Sequence, residues 1–142
     1  MSIEELYGKI ISKIERFNTN DGDEIHFYLS NGAIYRQYHS QSCCESVYIE
    51  DIEGDLDDLI DLPLLQAEES TSDASATDVD SATWTFYKLA TVKGYVTIRW
   101  YGSSNGYYSE TADIEKIRDE DPIKEIRKKK LKKITNKNSF FL

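Results

Sequence analysis

From Gln37 through Tyr87 the chain contains no lysine and no arginine, a gap of fifty-one residues. Nowhere does it hold a run of about 18 apolar residues, which excludes a helical membrane span. Its first residues, Met1-Ser2-Ile3-Glu4-Glu5, lack the basic-then-apolar layout of a secretory signal, so a cytoplasmic protein is expected. Cations are scarce overall: 17 Lys+Arg stand against 26 Asp+Glu, a formal charge of −9. An acidic surface repels phosphates, which argues against ordinary duplex binding. Disorder is excluded for most of the chain, because 39% hydrophobic and 12% aromatic residues suffice to bury a core. At 142 residues one domain is expected, large enough to fold without staples.

The charge is unevenly placed. The cation-free stretch holds thirteen acids, among them Glu45, Glu50, Asp51, Glu53, Asp55, Asp57, Asp58 and Asp61. Residues 122–142 carry eight basic residues against Glu125 alone, a balance of +7, which leaves −16 on residues 1–121. Blocks of like charge are solvated or partner-seeking segments rather than core.

Periodicity predicts a mainly antiparallel α+β domain of successive hairpins, with a short acidic helix and a C-terminal basic helix. A strand is expected within Leu6–Phe17, followed by a turn at 18–23. Ile25, Phe27 and Leu29 alternate with polar neighbours, as a half-buried strand does. Asn31-Gly32 then suits a two-residue type I′ hairpin, since both residues tolerate positive φ. Ala33–His39 is the returning strand and Ser46–Ile52 the next. Asp55–Asp61 reads as one or two turns of acidic helix stopped by Pro63, and Leu64–Glu68 as a short strand. The Ser, Thr, Ala and Asp of 69–83 have the composition of a flexible loop. Trp84–Val92 and Tyr95–Tyr101 are strands around Lys93-Gly94. Gly102–Gly106 is a loop, Tyr107–Ile114 a last strand and Pro122–Ile134 a basic helix. Residues 1–118 thus form one β-rich acidic domain, and 119–142 a basic helical tail.

Two segments are distinctive: YHSQSCCESVYIEDIEGDLDDLI at Tyr38–Ile60, and WTFYKLATVKGYVTIRWYGSSNGYYSE at Trp84–Glu110. Together they resemble a family of small domains encoded widely by bacteriophages and bacterial mobile elements. The resemblance spans roughly residues 6–115, with a variable acidic insert where 69–83 lies, and omits the basic tail. It implies a phage or mobile-element setting and little chemistry.

Three constellations carry possible chemistry. If Asn31-Gly32 closes a two-residue loop, His26 faces Gln37 and His39 becomes its diagonal neighbour. Cys43 and Cys44 follow after three residues. Two imidazoles and a thiolate suit tetrahedral zinc, with the other cysteine, Glu45 or water as fourth ligand. The same cluster also reads as a cysteine nucleophile with His39 as base, or as plain packing of small apolar side chains. A bond between the two cysteines is not expected in a reducing cytoplasm.

Pairing Val92 with Tyr95 places Leu89 opposite Ile98 and Tyr87 opposite Trp100 on the core face. Phe86 then faces Tyr101 on the other side, and Lys88 faces Arg99. Two opposed cations repel unless an acid or an anion intervenes. The neutralising group is an acid such as Glu50 or Glu53, or else a bound anion stacked between Phe86 and Tyr101 and rimmed by Tyr107 and Tyr108. The third constellation is acidic. Asp51–Asp61 departs from the calcium-loop pattern, but Glu50, Asp51, Glu53, Asp55, Asp57 and Asp58 offer a surface for a cationic partner.

The leading expectation is a non-enzymatic phage or mobile-element accessory protein in the host cytoplasm. It would act as a counter-defence inhibitor, presenting acidic surface in place of DNA to a nucleic-acid-binding host effector. The alternative is a domain that sequesters a small anionic ligand such as a nucleotide signal, and the third is a zinc protein or Cys-dependent enzyme. The tail offers nucleic acid or membrane contact, or exchange with the acidic body of another copy to give a homo-oligomer, and the body's −16 favours the exchange.

Overall fold

The computed structural model describes residues 2–75 and 80–121. Among these residues eight strands make two antiparallel sheets around one core: β1 (Ile11–Thr19), β2 (Gly22–Leu29), β3 (Ile34–Tyr38), β4 (Ser46–Glu53), β5 (Gln66–Asp73), β6 (Ser81–Thr91), β7 (Gly94–Ser104) and β8 (Asp113–Arg118). The first sheet has the order β1-β2-β3-β8 and the second β4-β7-β6-β5. The only helical pieces among the described residues are two single 3₁₀ turns, Ile3–Leu6 and Leu56–Leu59. None is long or apolar enough to cross a membrane.

Alternation decides what lies inside. Ile25, Phe27 and Leu29 of β2 and Tyr35 of β3 meet Tyr87, Leu89, Val96, Ile98 and Trp100 of the second sheet, all nearly or fully buried. Each large apolar side chain so buried contributes roughly 1.5–3 kcal/mol. One end of the core is closed by Ile3, Leu6, Leu59 and Leu64. The sheets are also joined by polar contacts. Trp100 Nε1 donates to Gln37 Oε1 at 2.7 Å in the buried interior. On the edge of β4, the Ile49 N–H donates to the carboxylate of Asp23 on β2 at 2.8 Å. An edge-strand donor that would otherwise be buried without a partner is thereby satisfied.

The α+β expectation is overturned: the described chain is almost entirely antiparallel sheet. The acidic helix is a single 3₁₀ turn capped by Asp55, whose side chain accepts the Asp57 N–H at 2.9 Å. It stops at once because Ile60 is extended and bridges to Ile11, while Pro63 bridges to Ile10. Backbone groups committed to a neighbouring strand are unavailable to propagate a helix. The expected basic helix at Pro122–Ile134, and the rest of the tail beyond Asp121, lie outside the described residues.

Much of the expected loop at 69–83 is strand. Gln66–Asp73 runs along β6 from Gln66↔Ala90 to Asp73↔Thr83 as an edge strand. Its composition misleads because all residues after Ala67 are exposed, so no apolar alternation is required of them. The last strand begins at Asp113 rather than Tyr107, because residues 105–112 carry the chain from the second sheet back to the first.

Two hairpin registers also differ from expectation. β2 and β3 pair with Tyr28 opposite Ile34 and His26 opposite Arg36, one residue from the expected register. The turn is a three-residue loop, Ser30-Asn31-Gly32, in which the Gly32 N–H donates to the Leu29 carbonyl at 3.0 Å. Gly32 takes φ +94°, the left-handed residue that such loops need. β6 and β7 are displaced by two residues, so Leu89 faces Val96 and Tyr87 faces Ile98. A shift of two preserves which face each side chain occupies; a shift of one inverts it.

The chain changes sheets twice at one end of the molecule. Residues 39–45 connect β3 to β4, and residues 105–112 connect β7 back to β8, running side by side because β3 adjoins β8 and β4 adjoins β7. The second crossover lies on Gly102: a Cβ there would stand 1.9 Å from the Glu110 carbonyl oxygen. Gly102→Ala is therefore expected to destabilise the protein by about 1–3 kcal/mol or more, as forced overpacking does. Urea melts with the fold checked by circular dichroism measure this, and an unchanged midpoint would contradict the close approach.

Candidate functional site

The outward face of the second sheet gathers most of the residues singled out for binding. Along β7 the outward side chains are Thr97, Arg99, Tyr101 and Ser103, and along β6 they are Trp84, Phe86 and Lys88. Tyr101 stands at the centre, its ring 4.8 Å from Trp84 and 5.7 Å from Tyr48 on β4. The Arg99 guanidinium lies 5.0 Å from the Trp84 ring centre. Tyr48 is 41% exposed, so part of this aromatic row faces water. Tyr48 and Trp84 were missed in the sequence, although each shows the signal that identified Phe86, an outward parity on an alternating strand.

Lys88 does not oppose Arg99. It faces Thr97 on β7 and Glu68 on β5, whereas Arg99 faces Phe86. Arg99 is neutralised by an acid, as the simpler of the two sequence readings held. A β-bulge on β4 sets Glu50 and Asp51 against this one residue. Arg99 Nε donates to Glu50 Oε2 at 2.6 Å, and Asp51 approaches to 4.0 Å. Tyr107 and Tyr108 contact each other edge-on at 5.1 Å in the second crossover.

The acidic residues continue from this bulge. Glu53 is exposed on the outward side of β4, opposite Thr97. Asp55 caps the 3₁₀ turn, Asp57 is exposed, and Asp58 abuts the β6–β7 hairpin, its carbonyl accepting the Thr91 hydroxyl and its carboxylate lying against Gly94. Asp51 and Glu53 thus form a solvated acidic border along β4 beside the aromatic row, while Asp57 lies in the 3₁₀ turn towards the β6–β7 hairpin.

The histidines and cysteines are not brought together. His26 alternates with the buried Ile25 and Phe27 and so lies on the outer face of the first sheet, where it meets Glu24 at 2.9 Å and the Phe17 ring at 4.6 Å. The one-residue register difference pairs it with Arg36 and leaves Gln37 and His39 on the other side. His39 lies buried at the first crossover. Cys43 and Cys44 are exposed and, against expectation, joined to each other. No group of three or more His, Cys, Asp or Glu side chains is placed to hold a metal ion among the described residues. The joined sulfurs also leave no thiolate for His39 to activate.

His39 instead belongs to a buried polar cluster. Its Nε2 meets Glu45 Oε2 at 2.9 Å, and its Nδ1 meets the Thr111 carbonyl, also at 2.9 Å. Glu45 further accepts the Ser42 N–H at 3.0 Å and the Cys43 N–H at 2.9 Å. Gln41 Nε2 donates to the Glu45 carbonyl at 2.6 Å. At the second crossover Glu110 plays a matching part, accepting from the hydroxyls of Ser81, Thr83 and Ser104. Each distinctive segment of the sequence therefore holds a buried glutamate that fastens one crossover.

Residues 4–114 match the model of DUF7448, a domain of unknown function, and the chain belongs to that family. The matched span includes both crossovers and the whole second sheet. No curated protein and no solved structure matches the chain.

The Glu45 carboxyl is held at about 2, below its ordinary 4.5, chiefly by the Cys43 N–H, with Ser42 and His39 adding to it and burial opposing. A carboxylate whose folded value is depressed contributes stability that is complete above the ordinary value and lost as pH falls through the folded one. Thermal melts are expected to show the wild-type protein weakening between about pH 4.5 and pH 2. Glu45→Gln should melt lower at neutral pH and converge on the wild type across that window. A constant gap across it would remove Glu45 from the acid response.

Proposed function

We propose that the chain is a non-enzymatic binding module that docks a cationic protein on the outward face of its second sheet. The observation that carries this reading is the half-exposed row Tyr48, Tyr101 and Trp84, bordered along β4 by Asp51 and Glu53. Rigid aromatic side chains supply contact area at little entropic cost, and they anchor interfaces. The acids beside them steer a basic partner and select against acidic ones. Glu50 already occupies Arg99, which makes capture of a small anion the weaker use of the same face.

A phage or mobile-element setting, as the sequence resemblance implies, makes a nucleic-acid-binding host factor in the cytoplasm the partner class of choice. Its DNA groove presents the cations that Asp51 and Glu53 would meet. The acidic residues would occupy phosphate positions, and the aromatic row would seat against the apolar parts of the groove. Exchange between copies through the basic tail involves residues outside those described.

The test is capture of such a factor from host lysate on the immobilised full chain, followed by binding measured with the purified pair. Retention should fall as salt shortens the screening length from about 10 Å at 0.1 M to about 3 Å at 1 M. Duplex DNA should compete. Tyr101→Ala is expected to weaken binding at least about tenfold, and the Asp51→Lys/Glu53→Lys pair to slow association, with unchanged circular dichroism in both. A partner that binds these variants as tightly as the wild type, or that DNA does not displace, overturns the reading.

A further inference from the structure

Cys43 and Cys44 are the chain's two cysteines, adjacent in sequence, exposed, and bonded to each other. In the chain-entropy account a disulfide stabilises a fold by closing a long loop in the unfolded chain. A bond between neighbouring residues closes the shortest loop possible, so it is no staple for this fold. The core of two sheets is complete without it. What the bond does constrain is the peptide unit between the two residues, and with it the local turn.

That turn is wired to the crossover cluster. The N–H of Cys43 donates to Glu45 Oε1 and that of Ser42 to Glu45 Oε2. Gln41 reaches both the Cys43 and Glu45 carbonyls, at 3.4 Å and 2.6 Å. The same Glu45 carboxylate faces His39, and His39 faces the carbonyl of Thr111 on the second crossover. A change in the 43–44 turn therefore has a continuous hydrogen-bonded route to the place where both crossovers pass between the sheets. Exposure meanwhile leaves the pair open to soluble thiols.

We propose that Cys43–Cys44 is a reversible thiol–disulfide site whose redox state sets the hydrogen bonding of Glu45 and His39. The co-reactant is a low-molecular-weight thiol of the glutathione class. In reduction its thiolate attacks one cysteine sulfur, the bond between the two cysteines breaks, and the other leaves as thiolate and takes up a proton. A second thiol then attacks the mixed disulfide, releasing the second cysteine as a thiol and one molecule of small disulfide. Oxidation is the reverse: the two thiols give up two electrons and two protons, and the small disulfide becomes two small thiols. In the oxidised form the closed turn aims the N–H groups of Ser42 and Cys43 at Glu45. In the reduced form that turn is released, and Glu45 keeps His39 as its principal fixed partner.

The experiment uses the full folded chain equilibrated in glutathione buffers from fully reduced to fully oxidised, then quenched with acid and alkylated. Mass spectrometry should show two alkyl groups in reducing buffers and none in oxidising ones, with the linked peptide containing both cysteines from one chain. NMR of the same samples should show the Cys43 amide and the His39 ring signals moving together with that transition. In Glu45→Gln the mass change should persist while the accompanying His39 shift is lost. Cys43→Ser/Cys44→Ser should show neither change and retain its circular dichroism. Two free thiols in every buffer overturn the proposal, as does a bond that yields to reductant only in the denatured protein. A redox transition that leaves the His39 signals in place overturns the coupling.

Discussion

The chain must pass from one sheet to the other twice, side by side at the same end of the molecule, and the rest of the structure depends on how that passage is made. A crossover has no strand neighbour for its own backbone groups, and burying them unpaired would cost about 1–3 kcal/mol each. Two buried glutamates fasten the passage, and Glu45 also pairs crossover backbone groups. Glu45 takes the N–H groups of the first crossover and holds His39, which in turn holds the carbonyl of Thr111 in the second. Glu110 collects three hydroxyls from β6 and β7, while its backbone lies where a side chain at 102 would stand. With both ends of the passage fastened, β3 can stay beside β8 and β4 beside β7.

That anchoring leaves the outward face of the second sheet free for other work. The inner face of the same sheet is committed to the core through Tyr87, Leu89, Ile98 and Trp100, and Trp100 reaches across to Gln37. Among the described residues, no sheet packs against the outer face. Its aromatic row is carried by the strands beneath it, with neighbouring rings tilted 56° and 58° to one another, and the bulge on β4 brings Glu50 into contact with Arg99. The cation-free stretch of sequence thus becomes, in three dimensions, an acidic margin along one edge of an aromatic platform. Two cations, Arg99 and Lys88, stand on this face, Arg99 held by Glu50; on the first sheet Arg36 lies between Glu24 and Glu115 and Lys13 against Glu15.

The distinctive YHSQSCCESV and GSSNGYYSE segments were legible as unusual, but their purpose was not. His39, Cys43 and Cys44 suggested metal or nucleophile chemistry because those residue types serve it elsewhere. The residue that organises them is Glu45, one acid among thirteen in its stretch, with nothing in its neighbours to mark it as buried. The register of the first hairpin failed for a related reason. Asn-Gly is the signature of a two-residue loop, but it also fits the last two positions of a three-residue one, and the difference of one residue separates His26 from His39. On β6 and β7 the error of two residues left the core face intact, while it removed the expected opposition of Lys88 and Arg99. The helix expectation at 55–61 failed because Ile60 and Pro63 are claimed by Ile11 and Ile10, a demand that no local pattern reveals.

The sequence by itself determined which side chains go inside. A strand repeats every two residues, so the alternation at Ile25–Leu29 and at Tyr87–Leu89 sorts core from surface without knowledge of any partner strand. It also determined the charge asymmetry, because formal charge is independent of conformation. Only the tertiary structure decided the registers, the meeting of the two crossovers, and the burial of Glu45 and Glu110. Those rest on hydrogen bonds between residues far apart in the chain, such as His39 with Thr111 and Gln37 with Trp100. Their partners exist only once both sheets have formed.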